Sequence, residues 1–317
     1  MVVHFKNNVE YILFTFVKLI MKFVKITTLL FFVLLFFYFP FVSYSQESSG
    51  GKYNPKPIFS KAINYEMGVF LGGSYYTGDL NPSGHFNRFT RPAIGVLYRA
   101  NFNPRFSAKA IVSYGSIEGD DSYSKSEFQK NRNLSFRSKL TEFALEGEMN
   151  FLPYSTGKFN LSLSSPYVFL GISVFHFDPK ALYMNTWYEL QPLGTEGQNS
   201  SFTNLKSYSL VQFAIPFGIG TKINIAKRIG LNLEWGLRKT FTDYLDDVSG
   251  SYADPRLLAA EKGLLSSTLA DRSFIQGGGT NAERQRGNSL AKDWYSFVGV
   301  VLTIKFTEKA EECSTPH

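Results

Sequence analysis

The side chains best suited to chemistry are few and scattered. Past residue 45 the sequence holds three histidines, His85, His176 and His317, and a single cysteine, Cys313. Serines are plentiful, but no G-x-S-x-G elbow is present to aim one as a nucleophile. His176 beside a serine is the arrangement a lipid-modifying hydrolase would need. A rim histidine without that role is commoner, so no enzyme and no cofactor are expected. Asp120-Asp121 and Asp246-Asp247 offer oxygens of the kind calcium takes. Calcium needs several such oxygens converging, which two separate pairs do not supply. Turn and loop hydrogen bonding is the simpler role for them. Gly277-Gly278-Gly279 lacks the strand, helix and lysine of a phosphate cradle. There is no zinc spacing and no disulfide framework, so no metal is expected.

A different set of charges does follow a pattern. Glu66, Arg99, Lys109, Glu142, Glu146, Glu148, Lys222, Glu234 and Arg238 all fall on the polar face of alternating segments. Eight such segments are predicted, at 65–75, 91–102, 106–116, 139–151, 166–177, 208–224, 229–241 and 295–306. Side chains of a strand alternate faces with period two. Around 145 the pattern is clearest: Phe143, Leu145, Met149 and Phe151 point one way, Glu142, Glu146 and Glu148 the other. The segment at 166–177 is apolar on both faces and leaves its orientation open.

The gaps between segments run long, short, long, medium, long, short, very long. Tight periplasmic turns, long outer loops and an even strand count are the marks of a bacterial outer-membrane barrel. The expected fold is therefore all-β, an eight-stranded antiparallel transmembrane barrel with both ends periplasmic. A charge at mid-membrane on the lipid side costs about 2–4 kcal/mol, so the apolar faces must meet lipid and the charged faces the lumen. A soluble barrel with an apolar cavity predicts the reverse polarity. Eight strands leave room for side chains but not for an aqueous channel, which excludes a porin. Five acids and four bases nearly cancel and can satisfy one another inside. Mean hydropathy is only −0.11, as expected when every second residue faces the lumen.

The ends supply the compartment. Met21-Lys22-Phe23-Val24-Lys25, an apolar run over 26–42 and Ser43-Tyr44-Ser45 have the layout of a secretory signal peptide. Cleavage after Ser45 is expected, with Met21 as the start. Residues 46–62 and 307–317 are expected to be periplasmic tails around a barrel at 63–306. Losing Lys6, Lys18, Lys22, Lys25 and Glu10 lowers the net charge from +7 to +4, which gives no case for nucleic acid.

Smaller signals agree. Tyr65, Phe102, Phe106, Phe151 and Phe306 are expected in an inner aromatic girdle, Tyr75, Tyr76 and Tyr114 in an outer one. Gly299, Leu302, Ile304 and Phe306 resemble the signal by which barrel assembly machinery reads a final strand. Residues 255–269 are expected to form a short helix over the barrel mouth, since a structureless loop of about 50 residues would be unusual. Residues 187–198 are expected to be a folded outer loop that either binds a partner or caps the barrel.

Several runs together carry a family resemblance. They are Tyr75-Tyr76-Thr77-Gly78-Asp79-Leu80-Asn81, Asp120-Asp121-Ser122, Arg132-Asn133-Leu134-Ser135-Phe136 and Asp178-Pro179-Lys180-Ala181. The loop run that includes Trp187, Tyr188, Glu189, Thr195, Glu196 and Gln198 is another, as are residues 238–249, Gln285-Arg286-Gly287-Asn288 and Asp293-Trp294-Tyr295. Over nearly all of residues 46–317 the chain is similar to the PorG-like outer-membrane barrels of the type IX secretion system. That resemblance implies a non-catalytic part of a secretion and gliding apparatus, tied to a periplasmic ring made of a lipoprotein and its partner. Contacts would then fall on Asn103, Pro104, Arg105, Lys227, Arg228, residues 152–165 and the tails. The other expectation is a surface adhesin working through its outer loops. The distinctive runs lie mostly on the outer side, which a periplasmic role does not explain.

Overall fold

The computed structural model describes residues 63–81, 89–159, 161–275 and 280–306. The expected signal peptide and tails, His85, His317, Cys313 and the three-glycine run lie outside the described residues. Among the described residues nine strands form: β1 Asn64–Thr77, β2 Arg91–Asn101, β3 Phe106–Asp120, β4 Ser135–Asn150, β5 Ser164–Tyr183, β6 Thr186–Glu189, β7 Val211–Ala226, β8 Ile229–Thr240 and β9 Trp294–Lys305. Each strand but β6 pairs antiparallel with its neighbours, and both β4–β5 and β1–β9 are joined, so the sheet closes. The fold is a closed eight-stranded antiparallel barrel. β6 pairs only with β5, as a hairpin that continues past the barrel rim.

Inner strand ends match the sequence expectation closely, while several outer ends run longer. β3 continues to Asp120, β4 begins at Ser135 and β5 reaches Tyr183. These extensions pair with one another, as in Gly119↔Phe136 and Arg137↔Lys180. Beyond the lipid the alternation no longer needs an apolar outer face, so hydrophobic pattern alone loses the strand there.

Polarity is that of a membrane barrel. On the outer surface Ile172 is 68% and Phe213 70% exposed, while inside Arg99 and Lys109 are each 1% exposed. β5, open from sequence, turns Tyr167, Phe169, Phe175 and Phe177 inward and Leu170 and Ile172 outward. Glycine decides this. Gly218 faces Gly236 across β7–β8, and the Phe169 ring lies over both, 2.6 and 2.8 Å from where a Cβ would stand. Phe70 lies the same way over Gly72 and Gly299, which face each other across the β1–β9 seam. Glycine weakens a strand by itself, and a cross-strand aromatic refills the space it leaves.

Tyr65, Phe106 and Phe306 are exposed at the inner end and Tyr114 at the outer end, as a girdle requires. Tyr75 and Tyr76 correct the expectation: both are buried, Tyr76 completely. Tyr76 continues the lumen face of β1 and enters the outer cap described below. The expected helix over 255–269 is two helices, Pro255–Lys262 (α2) and Leu264–Ala270 (α3), broken at Gly263, which has φ +94°. A shorter helix, Glu127–Arg132 (α1), lies in the second outer loop.

Leu145 stands mid-strand on the lipid face of β4 and is 48% exposed. Leu145→Arg should cost about 2–4 kcal/mol of folding free energy in lipid vesicles. Urea titration of the refolded barrel measures it; an unchanged midpoint would place this face outside the hydrocarbon.

Candidate functional site

The nine patterned charges form one connected network in the lumen. Arg99 reaches Glu66 at 3.1 Å and Glu148 at 2.9 Å. Glu148 also takes the ammonium of Lys222 at 2.6 Å and lies 3.6 Å from that of Lys109. Lys109 bonds Glu146 at 2.8 Å and Glu234 at 2.7 Å. Arg238 lies 3.8 Å from Glu146 and 3.1 Å from Glu142, which completes the chain. Neutral hydroxyls serve two of the carboxylates: Tyr167 donates to Glu234 at 2.7 Å and Tyr295 to Glu142 at 2.5 Å. Aromatic faces cover the cations, with Lys109 4.7 Å from Phe169 and Arg238 4.7 Å from Phe297.

Geometry follows from register. Arg99 faces Lys109 across β2–β3, and Lys109 faces Glu146 across β3–β4, so one layer of the barrel collects most of the charge. Above it Phe70, Leu140, Phe175, Phe177, Tyr295 and Phe297 pack as an apolar layer. The inner end is closed by the β4–β5 connection. Its Tyr154 and Thr156 are buried, and Thr156 donates to Glu66 at 2.7 Å. Among the described residues, buried side chains occupy the lumen from the inner turn to the outer cap.

A second polar assembly closes the outer end, and it uses the distinctive loop runs. Arg132 of α1 is buried and grips Asp121 at 2.8 Å while donating to the carbonyls of Arg286 and Asp79. Arg286 is itself buried, binds Glu196 at 3.0 Å and donates to the Asp247 carbonyl at 2.5 Å. Glu196 also accepts the backbone N–H groups of Ser249 and Gly250. Asp247 accepts from Thr195 at 2.5 Å and Tyr208 at 2.7 Å. Stacked rings of Phe177, Tyr208 and Tyr244 run from the barrel wall into this cap. Tyr76 approaches Asp246 at 2.5 Å and Asp293 at 3.0 Å. One hydroxyl hydrogen cannot serve both carboxyl groups at once. Burial pushes both carboxyls well above the usual range, helped by Asp79 for Asp246 and by Asp246 for Asp293. Burial likewise pushes Asp247 up to about 6 against the pull of Arg286.

The singled-out residues therefore divide. Asp121, Asp246 and Asp247 are cap residues held by arginine, tyrosine and backbone donors, and no cluster able to hold a metal ion occurs among the described residues. His176 faces outward from β5 opposite Thr141 and Val211 and has no serine partner among the described residues. Thr195, Glu196 and Gln198 are buried in the cap, whereas Trp187 and Glu189 are exposed on β6, with Tyr188 half-buried. Leu302, Ile304 and Phe306 face lipid, and Gly299 faces the lumen. Asn103 accepts the N–H groups of Arg105 and Phe106, shaping a tight inner turn; Arg105, Lys227 and Arg228 are exposed. Sequence reasoning missed the cap bonds of Tyr76, Arg132, Arg286 and Asp293. The available signal was the density of Asp and Arg in loop runs that have no strand period.

A closed barrel with ions inside and an apolar band outside is a transmembrane barrel of the outer-membrane type. The chain belongs to the family described as Domain of unknown function (DUF6089), whose model matches residues 57–260. No curated protein matches it in sequence. Among solved structures it is similar to Ail, the attachment invasion locus protein of Yersinia pestis, at 9% identity and TM-score 0.36, covering 77% of this chain and 99% of that one. It is also similar to Neisserial surface protein A at 7% identity and TM-score 0.35, covering 77% and 97%. A third is the outer membrane protein OprG from Pseudomonas aeruginosa, at 10% identity and TM-score 0.34, covering 78% and 95%.

Two outcomes test the assemblies. Glu148→Ala leaves Arg99 and Lys222 buried without their shared carboxylate and should cost about 3–5 kcal/mol, read as a lower unfolding midpoint; an unchanged midpoint would mean those cations are solvated. For the cap, folded Asp247 keeps its proton where the unfolded chain has lost it. Cap stability is thus greatest below the ordinary carboxylate range and falls as pH rises through about 6. Hydrogen exchange at amides 245–250, corrected for intrinsic rate, should show less protection near neutral pH than at about pH 5. Equal protection at the two pH values would mean that Asp247 is already ionised at pH 5.

Proposed function

We propose that this chain is a non-catalytic outer-membrane component of type IX secretion and gliding machinery that anchors or stabilises a periplasmic ring at the membrane. The observation that carries this reading is the blocked lumen. Ion pairs and aromatic layers seal the barrel, so solute passage is not its work, and a role as a fixed membrane body remains. The loop runs shared with the PorG-like barrels support the assignment. Their placement in the cap also accounts for outer-side motifs in a protein that works on its inner side, since they make the body rigid.

The inner end has the chemistry for a partner. Arg105, Lys158, Lys227 and Arg228 are exposed there, and the described inner turns hold no acidic side chain. A ring lipoprotein or its partner would meet this end with an acidic surface. A second reading, a surface adhesin, is favoured by apolar side chains standing out of the cap: Met184, Leu264, Phe274 and Leu290 are each at least 76% exposed.

Full-length tagged protein, solubilised from outer membranes, should co-purify with periplasmic ring proteins. Changing Arg105, Lys158, Lys227 and Arg228 together to Glu should remove them and stop cargo export while the barrel still shifts on an unboiled gel. If the charge-reversed barrel keeps its partners and export continues, the inner-end contact is wrong. If the wild-type barrel brings down no ring protein, the secretion role is wrong. Loss of surface binding on changing Met184, Leu264, Phe274 and Leu290 to Ser, with export intact, would support the adhesin instead.

A further inference from the structure

One polar cleft lies on the outer wall of the barrel and belongs to neither assembly. It has a volume of about 450 Å³ and is lined by Tyr114, Arg137, Lys139, Asp178, Lys180 and Trp187, among others. Its height is fixed by the strands. On the outward face of β4 the order from mid-membrane is Leu145, Phe143, Thr141, Lys139, Arg137. On β3 it is Ala110, Val112, Tyr114, Ser116. Tyr114, opposite Thr141, marks the outer edge of the apolar band. Lys139 and Arg137 stand one and two steps above that edge, at the level of lipid headgroups.

The charges there are arranged for an anion. Arg137 sits directly opposite Lys180 on the same face, and like charges in that position destabilise a strand pair. Lys180 is neutralised by Glu189 at 3.0 Å and Asp178 at 3.3 Å. Arg137 is not: its register partner Glu118 is bound by Arg91, and Arg137 instead stacks on Trp187, 6.0 Å from the ring centre. Asp178 turns one oxygen to the backbone N–H of Lys139, not to its ammonium. Neither Arg137 nor Lys139 has an ion-pair partner among the described residues, and both are exposed. Below them Phe143, Val112 and Ile94 are exposed and apolar. The cleft thus offers two free cations and an aromatic plate directly above a hydrocarbon surface.

We propose that this cleft holds the phosphorylated headgroup of a glycolipid of the outer leaflet. Arg137 and Lys139 contact the phosphate, the Trp187 ring packs on a sugar face, and the acyl chains run down past Tyr114 and Phe143. A soluble anion would use the cations but gain nothing from the apolar wall beneath. The inference is independent of the secretion role, because it concerns the lipid-facing wall and not the inner end.

Delipidated full-length barrel in detergent, titrated with bisphosphorylated lipid A and read by native mass spectrometry, tests it. A saturable one-to-one adduct is expected. Arg137→Ala with Lys139→Ala should weaken it by about tenfold or more, since each basic residue near an anionic surface contributes on that scale. Arg137→Lys with Lys139→Arg should restore most of the affinity, and Lys125→Ala with Lys206→Ala, on outer loops, should leave it unchanged. Dephosphorylated lipid A provides a comparison that needs no variant and should bind as weakly as the double Ala protein. Equal binding of the dephosphorylated lipid, or equal affinity of the double Ala variant while it still shifts on an unboiled gel, overturns the proposal. Displacement of the lipid by millimolar inorganic phosphate would overturn it too, because the site would then be one for a soluble anion.

Discussion

Enclosing ionised side chains away from both lipid and water is the constraint on which the rest of this structure depends. Nine charged groups are buried in the lumen, and each is costly to bury unless paired. Pairing requires positions that meet across strands, which fixes register. Register in turn sets every outward residue, so the apolar band is a consequence of the same arrangement. A slip by one residue would turn Glu146 and Glu148 toward lipid and Leu145 toward the lumen. The glycine pairs at Gly72–Gly299 and Gly218–Gly236 serve the same end, because they let Phe70 and Phe169 fill the space that charges leave.

The cap repeats this logic outside the membrane with different chemistry. In the lumen, carboxylates meet cations contributed by opposing strands. In the cap, Arg132 and Arg286 each bind backbone carbonyls as well as a carboxylate, so they order loop segments that have no regular structure of their own. Loops joined in this way behave as part of the wall.

Much of the barrel was legible because membrane strands obey a rule that reads directly from sequence: apolar out, polar in, period two. Glu142, Glu146, Glu148, Glu234 and Arg238 announced the lumen by that rule, and the short turns at residues 103–105 and 227–228 announced the inner side. β5 was not legible, since both faces are apolar and its direction depends on a glycine in the adjacent β7 and another in β8. Tyr76 was misplaced because an aromatic at a strand end fits a girdle and a lumen equally well until its partners, Asp246 and Asp293, are brought to it. Those partners lie at sequence separations of 170 and 217 residues, which no local pattern reaches. Arg137 fell outside the predicted strand, which began at Lys139, because the extension of β4 to Ser135 leaves no hydrophobic trace.

The long reach of the cap bonds also bears on how the molecule is made. Arg132 bonds the Arg286 carbonyl 154 residues further on, and Arg286 closes on Glu196 from the far side of β8. Neither contact can form until the chain has been delivered through Arg286, which lies between β8 and β9. Crown order therefore waits on long loop closures spanning most of the barrel sequence.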